Sequence, residues 1–304
     1  MLTSFRLLVL ALMAAPANAE VPNVVADIAP VHGLVAQVME GVGTPDLILQ
    51  PGISPHGYAL RTSQARALGQ AGLVVWVGPQ LTPWLEKPVA SLAGEAKKLT
   101  LLAEETTQSL PFREGAEEEE EEGHDHDHDH EGVDPHAWLD PENAQIWLGL
   151  IAEKLAGIDP ENAGIYRANA VKGQAELQAL MAELDGTLSP VRRTPFITYH
   201  DAFQYFEARF GLQNAGFVTL SDGAGASPAR VSALRDHVAD LDVECAFSEP
   251  GVDPGVLQGI NTDNGMALSI LDPMGRDLTL GVGFYSELLR NMAQKFVSCT
   301  ADSD

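Results

Sequence analysis

The chain has 304 residues, of which 45% are hydrophobic and 20% are charged, and this composition is typical of a globular protein with two ordinary domains or one large one. The formal net charge of −25 at pH 7 argues against nucleic-acid binding and against docking on anionic membranes, because both rely on clustered basic residues. A field of this sign attracts cations instead.

The N-terminus has the pattern of a secretory signal peptide. Arg6 precedes a short apolar run, and the small residues Ala17 and Ala19 precede a cleavage point before Glu20. A lipoprotein signal would need a cysteine where this chain has Glu20. The apolar run is too short to span a membrane, and no later stretch reaches about 18 apolar residues. We therefore expect an exported protein without membrane insertion, from which residues 1–19 are removed.

Short apolar runs alternate with amphipathic stretches along the chain, and this alternation predicts α/β units. In the first part of the chain it predicts strands at 23–28, 46–49 and 73–77 and helices at 32–40 and 62–71. After Pro190 the alternation restarts, with strands at 196–199, 217–220, 243–247 and 267–271 and helices at 201–210, 228–241, 254–262 and 284–296.

Two helices between these parts begin with the same signal, an Asp at the cap and a Pro at the first helical position. The helix after Asp140 should end near Ala156, and the helix after Asp159 should run to about Leu184, over roughly 37 Å. So long a helix is either a strut between two domains or a surface helix of one domain. We predict an N-terminal α/β lobe at 20–158, a connecting helix at 159–186 and a C-terminal α/β lobe at 187–304.

An acidic, histidine-rich loop interrupts the N-terminal lobe at about residues 114–132. A run of glutamates is followed by His124, His126, His128 and His130, which alternate with carboxylates. The histidine stretch has no apolar residue that could join a core, so we expect it to be solvated and mobile. Because imidazole is the commonest metal ligand in proteins, it predicts an accessory, low-affinity site for a transition metal such as zinc. The alternative is an acidic solubilising loop with incidental histidines.

Three histidines outside this loop share a local setting. His56 and His136 each follow a proline in a predicted loop, and His200 ends a predicted strand just before a helix. Proline restricts the backbone around it, and ligands of open α/β sheets bind beyond the carboxyl ends of strands. His32 and His237 lack this setting, so we assign them to a helix start and to an exposed helix surface.

Asp272 also sits just past a predicted strand. Three imidazoles and one carboxylate form a tetrahedral set that suits zinc, although each histidine taken alone is more often a structural residue. Three histidines with a bound water are also the arrangement of a zinc hydrolase. The chain lacks the HExxH helix of many such enzymes and has no evident general base beside the metal.

Five segments together carry the pattern of one protein family. They are residues 54–60 (SPHGYAL), 134–139 (DPHAWL), 199–206 (YHDAFQYF), 248–250 (SEP) and 271–275 (LDPMG). With the signal peptide, the acidic insertion and the long central helix, they resemble the metal-binding proteins of bacterial zinc, manganese and iron ABC importers, the cluster A-I solute-binding proteins. The resemblance covers essentially the whole mature chain and is greatest to the zinc-type members.

This resemblance implies two similar α/β lobes, one long rigid helix that joins them, and a metal site in the interlobe cleft. It assigns His56 and His136 as ligands from the N-terminal lobe and His200 and Asp272 as ligands from the C-terminal lobe. Manganese-type members usually have a glutamate at the position of His200, and imidazole favours zinc over manganese. Pro55 stands where some zinc members carry a glutamate, so Asp272 or water must complete the shell.

The two cysteines, Cys245 and Cys299, form an isolated pair. In an exported protein such a pair predicts a disulfide more than a metal site, and it would stabilise the fold by about 4 kcal/mol in the chain-entropy model. The pair also matches a disulfide of the zinc-type members.

The resemblance implies a function as well. It implies a periplasmic, monomeric, high-affinity binding protein, not an enzyme, that delivers Zn²⁺ as its transported ligand to the membrane permease of an ABC importer. A rigid connecting helix should limit the lobes to small rocking movements. Manganese or iron delivery, a zinc-dependent adhesin or zinc buffer, and a zinc hydrolase are the alternatives.

Overall fold

The computed structural model describes residues 21–113, 132–219, 226–239, 241, 243–260 and 265–301. The predicted signal peptide and the predicted accessory histidines lie outside the described residues: His124, His126, His128 and His130. Predictions for these parts therefore stay predictions.

The N-terminal lobe is built on a four-stranded parallel sheet with the order β2-β1-β3-β4. Its strands are β1 (Val24–Ala26), β2 (Asp46–Leu47), β3 (Leu73–Trp76) and β4 (Lys97–Thr100), and its helices are α1 (Ala29–Val38), α2 (Thr62–Gln70) and α3 (Pro83–Leu92). All four residues of β3 are buried. Such a continuous apolar run is typical of a parallel strand that is covered on both faces.

Two helices link this sheet to the second half of the chain, α4 (Pro141–Ile158) and α5 (Ala163–Leu188). The Asp140 side chain caps α4 by accepting a hydrogen bond from the Glu142 amide, as predicted. The predicted start of α5 at Pro160 is wrong, because the Asp159 carboxylate holds a turn by accepting bonds from the Asn162 amide groups and the Tyr166 hydroxyl.

The C-terminal lobe repeats the architecture of the first lobe. Its strands are β5 (Pro195–His200), β6 (Gln213–Thr219), β7 (Cys245–Ser248) and β8 (Ala267–Ile270), in the parallel order β6-β5-β7-β8. Its helices are α6 (Gln204–Phe210), α7 (Pro228–Val238), α8 (Gly255–Ile260) and α9 (Phe284–Ala301). Numbered within each lobe, both sheets have the strand order 2-1-3-4, so the predicted pair of similar α/β lobes is confirmed.

The long helix α5 joins the lobes, since it packs against α1 and α4 of the N-terminal part and against α9 of the C-terminal lobe. Its buried residues recur every three or four positions along one face: Tyr166, Ala170, Gly173, Leu177, Leu180, Leu184 and Leu188. They belong to one hydrophobic core that continues from the first lobe into the second. The lobes therefore share a packed interior, which limits their relative movement.

A covalent link also ties the C-terminal part to the fold. A disulfide joins Cys245 at the start of β7 to Cys299 in α9, with the two Cα atoms 5.9 Å apart, and this confirms the predicted pair. Among the described residues, no helix has both the length and the apolarity that a membrane crossing requires.

Candidate metal centre

Three histidines from separate segments meet between the lobes. His56 lies in the loop between β2 and α2, His136 directly precedes a 3₁₀ turn formed by Ala137–Leu139, and His200 is the last residue of β5. The carboxyl end of a parallel strand is thus one wall of the site, as the sequence predicted. His136 and His200 are each 2% exposed, and His56 is partly buried.

The geometry of the three rings suits a metal ion. Their potential ligand atoms all lie within 4.8 Å of one another. The ring centroids are 4.9 Å apart for His136 and His200 and 5.7 Å apart for each pair that includes His56. Zinc–nitrogen bonds of about 2.0–2.1 Å place tetrahedral ligand nitrogens roughly 3.4 Å apart. Only a small approach of the rings is therefore needed to bind zinc.

Buried carboxylates orient two of the rings. The Nδ1 atom of His136 lies 2.7 Å from Asp134 Oδ1, and the Nδ1 atom of His200 lies 3.1 Å from Glu249 Oε1. A histidine ligand commonly donates its second ring N–H to a carboxylate, which fixes the tautomer and turns the other nitrogen towards the metal. Both rings are thereby set to offer Nε2.

Buried carboxyl groups surround the site. Burial raises the pKa of Asp134 to about 7 and that of Asp201, next to His200, to about 6. Burial also raises the pKa of Glu207 to about 7, although Arg113 forms an ion pair with it. Keeping these carboxylates ionised away from water is unfavourable, and a bound dication would offset that cost.

Asp272, the predicted fourth ligand, is not part of the group of three histidines. Its Oδ1 accepts hydrogen bonds from the amides of Met274 and Gly275, both at 2.9 Å, and its Oδ2 accepts one from the amide of Arg276 at 2.6 Å. It lines a cavity next to the one that the histidines line. Four residues line both cavities: Pro55, Glu249, Pro273 and Met274.

The two histidines that the sequence set aside lie elsewhere. His32 is buried in the first turns of α1, with its Nε2 atom 3.1 Å from the carbonyl oxygen of Pro45, and burial lowers its pKa. His237 is exposed near the end of α7. The assignments of both residues to structural positions are confirmed.

Sequence reasoning assigned no role to Asp134 or Glu249. Asp134 could have been found, because it precedes His136 by two residues, close enough for its carboxylate to reach the ring. Glu249 is 49 residues from His200 in the chain. Only the pairing of β7 beside β5 brings these two residues together.

Comparisons with known proteins identify the family of this chain. The family model of ZnuA, the periplasmic component A of a zinc-uptake complex, matches residues 24–299. The high-affinity zinc uptake system protein ZnuA of Paracoccus denitrificans is 45% identical, with 94% of each chain covered. The protein of the same name from Brucella abortus is 37% identical, with 91% of each chain covered.

The fold has solved counterparts. A crystal structure of ZnuA superposes with a TM-score of 0.77 at 21% identity and covers 92% of this chain and 100% of that chain. At this level of identity the superposition supports the two-lobed fold. The match of the family model over most of the chain and the identity to full-length relatives decide the assignment: this chain belongs to the ZnuA family of periplasmic zinc-uptake components.

Proposed function

We propose that this protein captures Zn²⁺ in the periplasm and delivers it to the permease of an ABC importer. The convergence of His56, His136 and His200 into one group between the lobes carries the proposal. Three imidazoles suit a borderline cation such as zinc better than the harder manganese ion. The relatives at 45% and 37% identity are named as high-affinity zinc uptake system proteins, which supports the same cargo.

We place Asp272 in the fourth coordination position. Its Oδ1 accepts two amide hydrogen bonds and its Oδ2 accepts one, so Oδ2 keeps a lone pair for the ion. The cavity that Asp272 lines shares four lining residues with the cavity of the histidines, which supports this position. Four protein ligands would close the shell and leave no position for a reactive water, which argues against a zinc hydrolase. A water molecule as fourth ligand is the alternative.

Location and partner follow from the family. A signal peptide at residues 1–19 would export the chain, and the matching family is described as periplasmic. A zinc-uptake component needs a membrane permease to receive the ion, and we expect it to reach that permease as a monomer. The two lobes would present the loaded site by small rocking about α5.

Metal competition tests the proposed function. Metal-free protein is titrated with zinc, manganese, cobalt and copper in the presence of a chelator of known affinity. One tightly bound zinc per chain, held far more tightly than manganese, is the expected result. Tight manganese binding without a preference for zinc would contradict it.

The histidine-rich loop lies outside the described residues, and its accessory role is a separate hypothesis motivated by the alternation of His and Asp. Zinc binding there would have to order a stretch whose composition predicts a solvated segment, and that ordering costs conformational entropy, so its zinc affinity should be lower than that of the histidine group between the lobes. Deleting residues 117–131 should remove weak zinc equivalents and keep the tight one. An unchanged stoichiometry would show that the loop binds no additional zinc.

A further inference from the structure

We propose that His136 is held in place by the C-terminal lobe and that Tyr205, Arg209 and Tyr285 are positioning residues for the zinc site. In chain order the His136 segment belongs to the N-terminal part, and the family resemblance assigns it to that lobe. The inference rests on the proposed zinc function. It adds that the C-terminal lobe positions two of the three histidines and the N-terminal lobe positions the third.

Side chains of the C-terminal lobe bond to the backbone on both sides of His136. The hydroxyl of Tyr205, in α6, donates to the carbonyl oxygen of Asp134 at 2.8 Å. The hydroxyl of Tyr285, in α9, donates to the carbonyl oxygen of Trp138 at 2.6 Å. Both tyrosines are almost fully buried, at 2% and 1% exposure. A buried tyrosine hydroxyl usually needs a partner, so these contacts fix the backbone positions of the segment.

Two more contacts extend this attachment. The indole Nε1 of Trp138 donates to the carbonyl oxygen of Pro273 at 3.0 Å. Arg209, in α6, forms a bidentate ion pair with the carboxylate of Asp140, and both nitrogen–oxygen distances are 2.8 Å. The planar guanidinium matches the carboxylate in this geometry, which adds orientation to the attraction. The segment from Asp134 to Asp140 is thus bonded to three separate parts of the C-terminal lobe.

The loop that carries His56 is attached differently. Two contacts tie it to the N-terminal lobe: the indole Nε1 of Trp84 donates to the carbonyl oxygen of Pro55 at 2.7 Å, and the Tyr58 hydroxyl lies 3.3 Å from Gln64 Oε1. Across the cleft, the loop meets the Arg276 side chain, which packs over Gly52. That contact is packing along a flexible side chain, which a small movement of the lobes can break.

The ligand geometry follows this division. The centroids of His136 and His200 are 4.9 Å apart, closer than the 5.7 Å that separates His56 from either ring. The His136 segment is also bonded to Leu110 and Asn143 of the N-terminal part. In the proposal, the contacts from the C-terminal lobe make His136 and His200 a preassembled pair, which His56 joins when the lobes approach. Prior positioning of two ligands lowers the entropic cost of binding. Zinc release then begins at His56.

Isosteric tyrosine variants test the proposal in a double-mutant design. Tyr285→Phe and Tyr205→Phe each remove a hydroxyl and keep the ring. Each should weaken zinc binding by about 5- to 10-fold, the size expected for one lost buried hydrogen bond. The loss should persist in a His56→Ala background and disappear in a His136→Ala background, because the tyrosines act through His136.

Tyr58→Phe is the matched control on the other lobe, since Tyr58 lies in the His56 loop and its hydroxyl faces Gln64 of α2. Its effect should persist in the His136→Ala background and disappear in the His56→Ala background. Zinc affinities come from chelator competition, and the unfolding midpoint of each metal-free variant is measured in parallel.

Variants of Arg209 provide a second test of the proposal. The Arg209 side chain is partly exposed, so the fold should tolerate its substitution. Arg209→Ala should weaken zinc binding, and Arg209→Lys should restore part of the affinity by keeping the charge. The proposal is overturned if the tyrosine variants bind zinc like the wild type, or if their losses are equal in both histidine backgrounds. Failure of the wild-type protein to bind zinc tightly would instead overturn the proposed function.

Discussion

His136 and His200 owe their places in the site to different local causes. His136 follows a proline and has its backbone amide bonded to Asp134 Oδ1 at 2.9 Å, so local contacts shape the turn that the C-terminal lobe holds in place. His200 is the last residue of β5, paired in register with Thr219 of β6, so the sheet fixes it. Both causes can be recognised in the sequence, one as a proline before the histidine and the other as the end of a predicted strand. These two residues could therefore be predicted as candidate ligands.

Removal of His200 should abolish tight zinc binding, because two imidazoles and one carboxylate are left to hold the ion. We expect His200→Ala to lower zinc affinity by more than about 100-fold in chelator competition. His237→Ala is the matched control, since that histidine is exposed in α7 and should leave zinc binding unchanged. Retention of tight binding by His200→Ala would remove this residue from the site.

The hydrogen bonds of the Asp272 carboxylate could not be predicted from the sequence. The sequence places it after a strand, and the observed turn then supplies three backbone amides that occupy its oxygens. No pattern of residue types encodes those amide directions, because they depend on the path of the chain from Pro273 to Arg276. The same limit applies to Glu249, whose role depends on the pairing of two distant strands.

The fourth ligand can be identified by removing the charge of Asp272 while keeping its shape. If Asp272 ligates zinc, Asp272→Asn should lower zinc affinity by about 10-fold or more, because a neutral amide is a poorer ligand than a carboxylate. The change also weakens the turn, so the unfolding midpoint of the metal-free variant is compared with that of wild type. Unchanged zinc affinity would assign the fourth position to water.

At the level of elements, every strand and helix predicted from the sequence is present, with bounds that differ by a few residues. The sequence did not predict α3 or β4. Pro88 lies inside α3, and two exposed lysines, Lys97 and Lys98, begin β4, so neither element has the pattern of its type. Their formation depends on tertiary packing beside β3, which the local pattern does not contain.

Close packing of α5 against its neighbours rests on a glycine. A Cβ atom at Gly173 would lie 2.9 Å from the side chains of Gln37 in α1 and Leu148 in α4. Gly173→Ala should therefore lower the free energy of unfolding by about 1 kcal/mol, because the ends of the Gln37 and Leu148 side chains must shift and Gln37 would lose its hydrogen bond to Glu176. The measurement is urea unfolding of the metal-free protein.

Gly186 in the same helix is the matched control. A Cβ atom there would meet no atom within 4 Å, and the residue is exposed. Gly186→Ala should stabilise the protein by about 0.5–1 kcal/mol, since alanine favours the helix more than glycine does. Equal effects of the two substitutions would show that helix propensity, and not packing, decides both positions.

On the scale of the whole molecule, the two lobes have the same strand order but their cores are not separate. The main hydrophobic core runs through α5 into both lobes, and a smaller core lies on each sheet. The alternation of apolar runs and amphipathic stretches in the sequence predicted two α/β units, each with its own sheet. Their fusion into one interior could not be predicted, because it depends on which face of α5 each lobe covers.

Two contributions to the stability of the whole protein should depend on pH in opposite ways: that of the buried Asp27 carboxyl and that of bound zinc. Burial raises the pKa of Asp27 to about 7, well above the value of about 3.9 in an unfolded chain. The folded state therefore binds a proton that the unfolded state has lost. This group contributes stability below about pH 4 that is lost as the pH rises through about 7. Metal-free protein should gain stability from this group as the pH falls.

Zinc stabilises the folded state by an amount that grows with the logarithm of its affinity, and that affinity needs neutral imidazoles. Protons compete with zinc at the histidines below about pH 6.5, so the zinc-dependent part of the stability should shrink as the pH falls. Urea unfolding between about pH 5 and about pH 8, with and without excess zinc, measures both trends. Asp27→Asn should flatten the slope of the metal-free protein and leave the zinc increment unchanged at each pH. A metal-free slope that is the same in wild type and variant would show that Asp27 titrates alike in the folded and unfolded states.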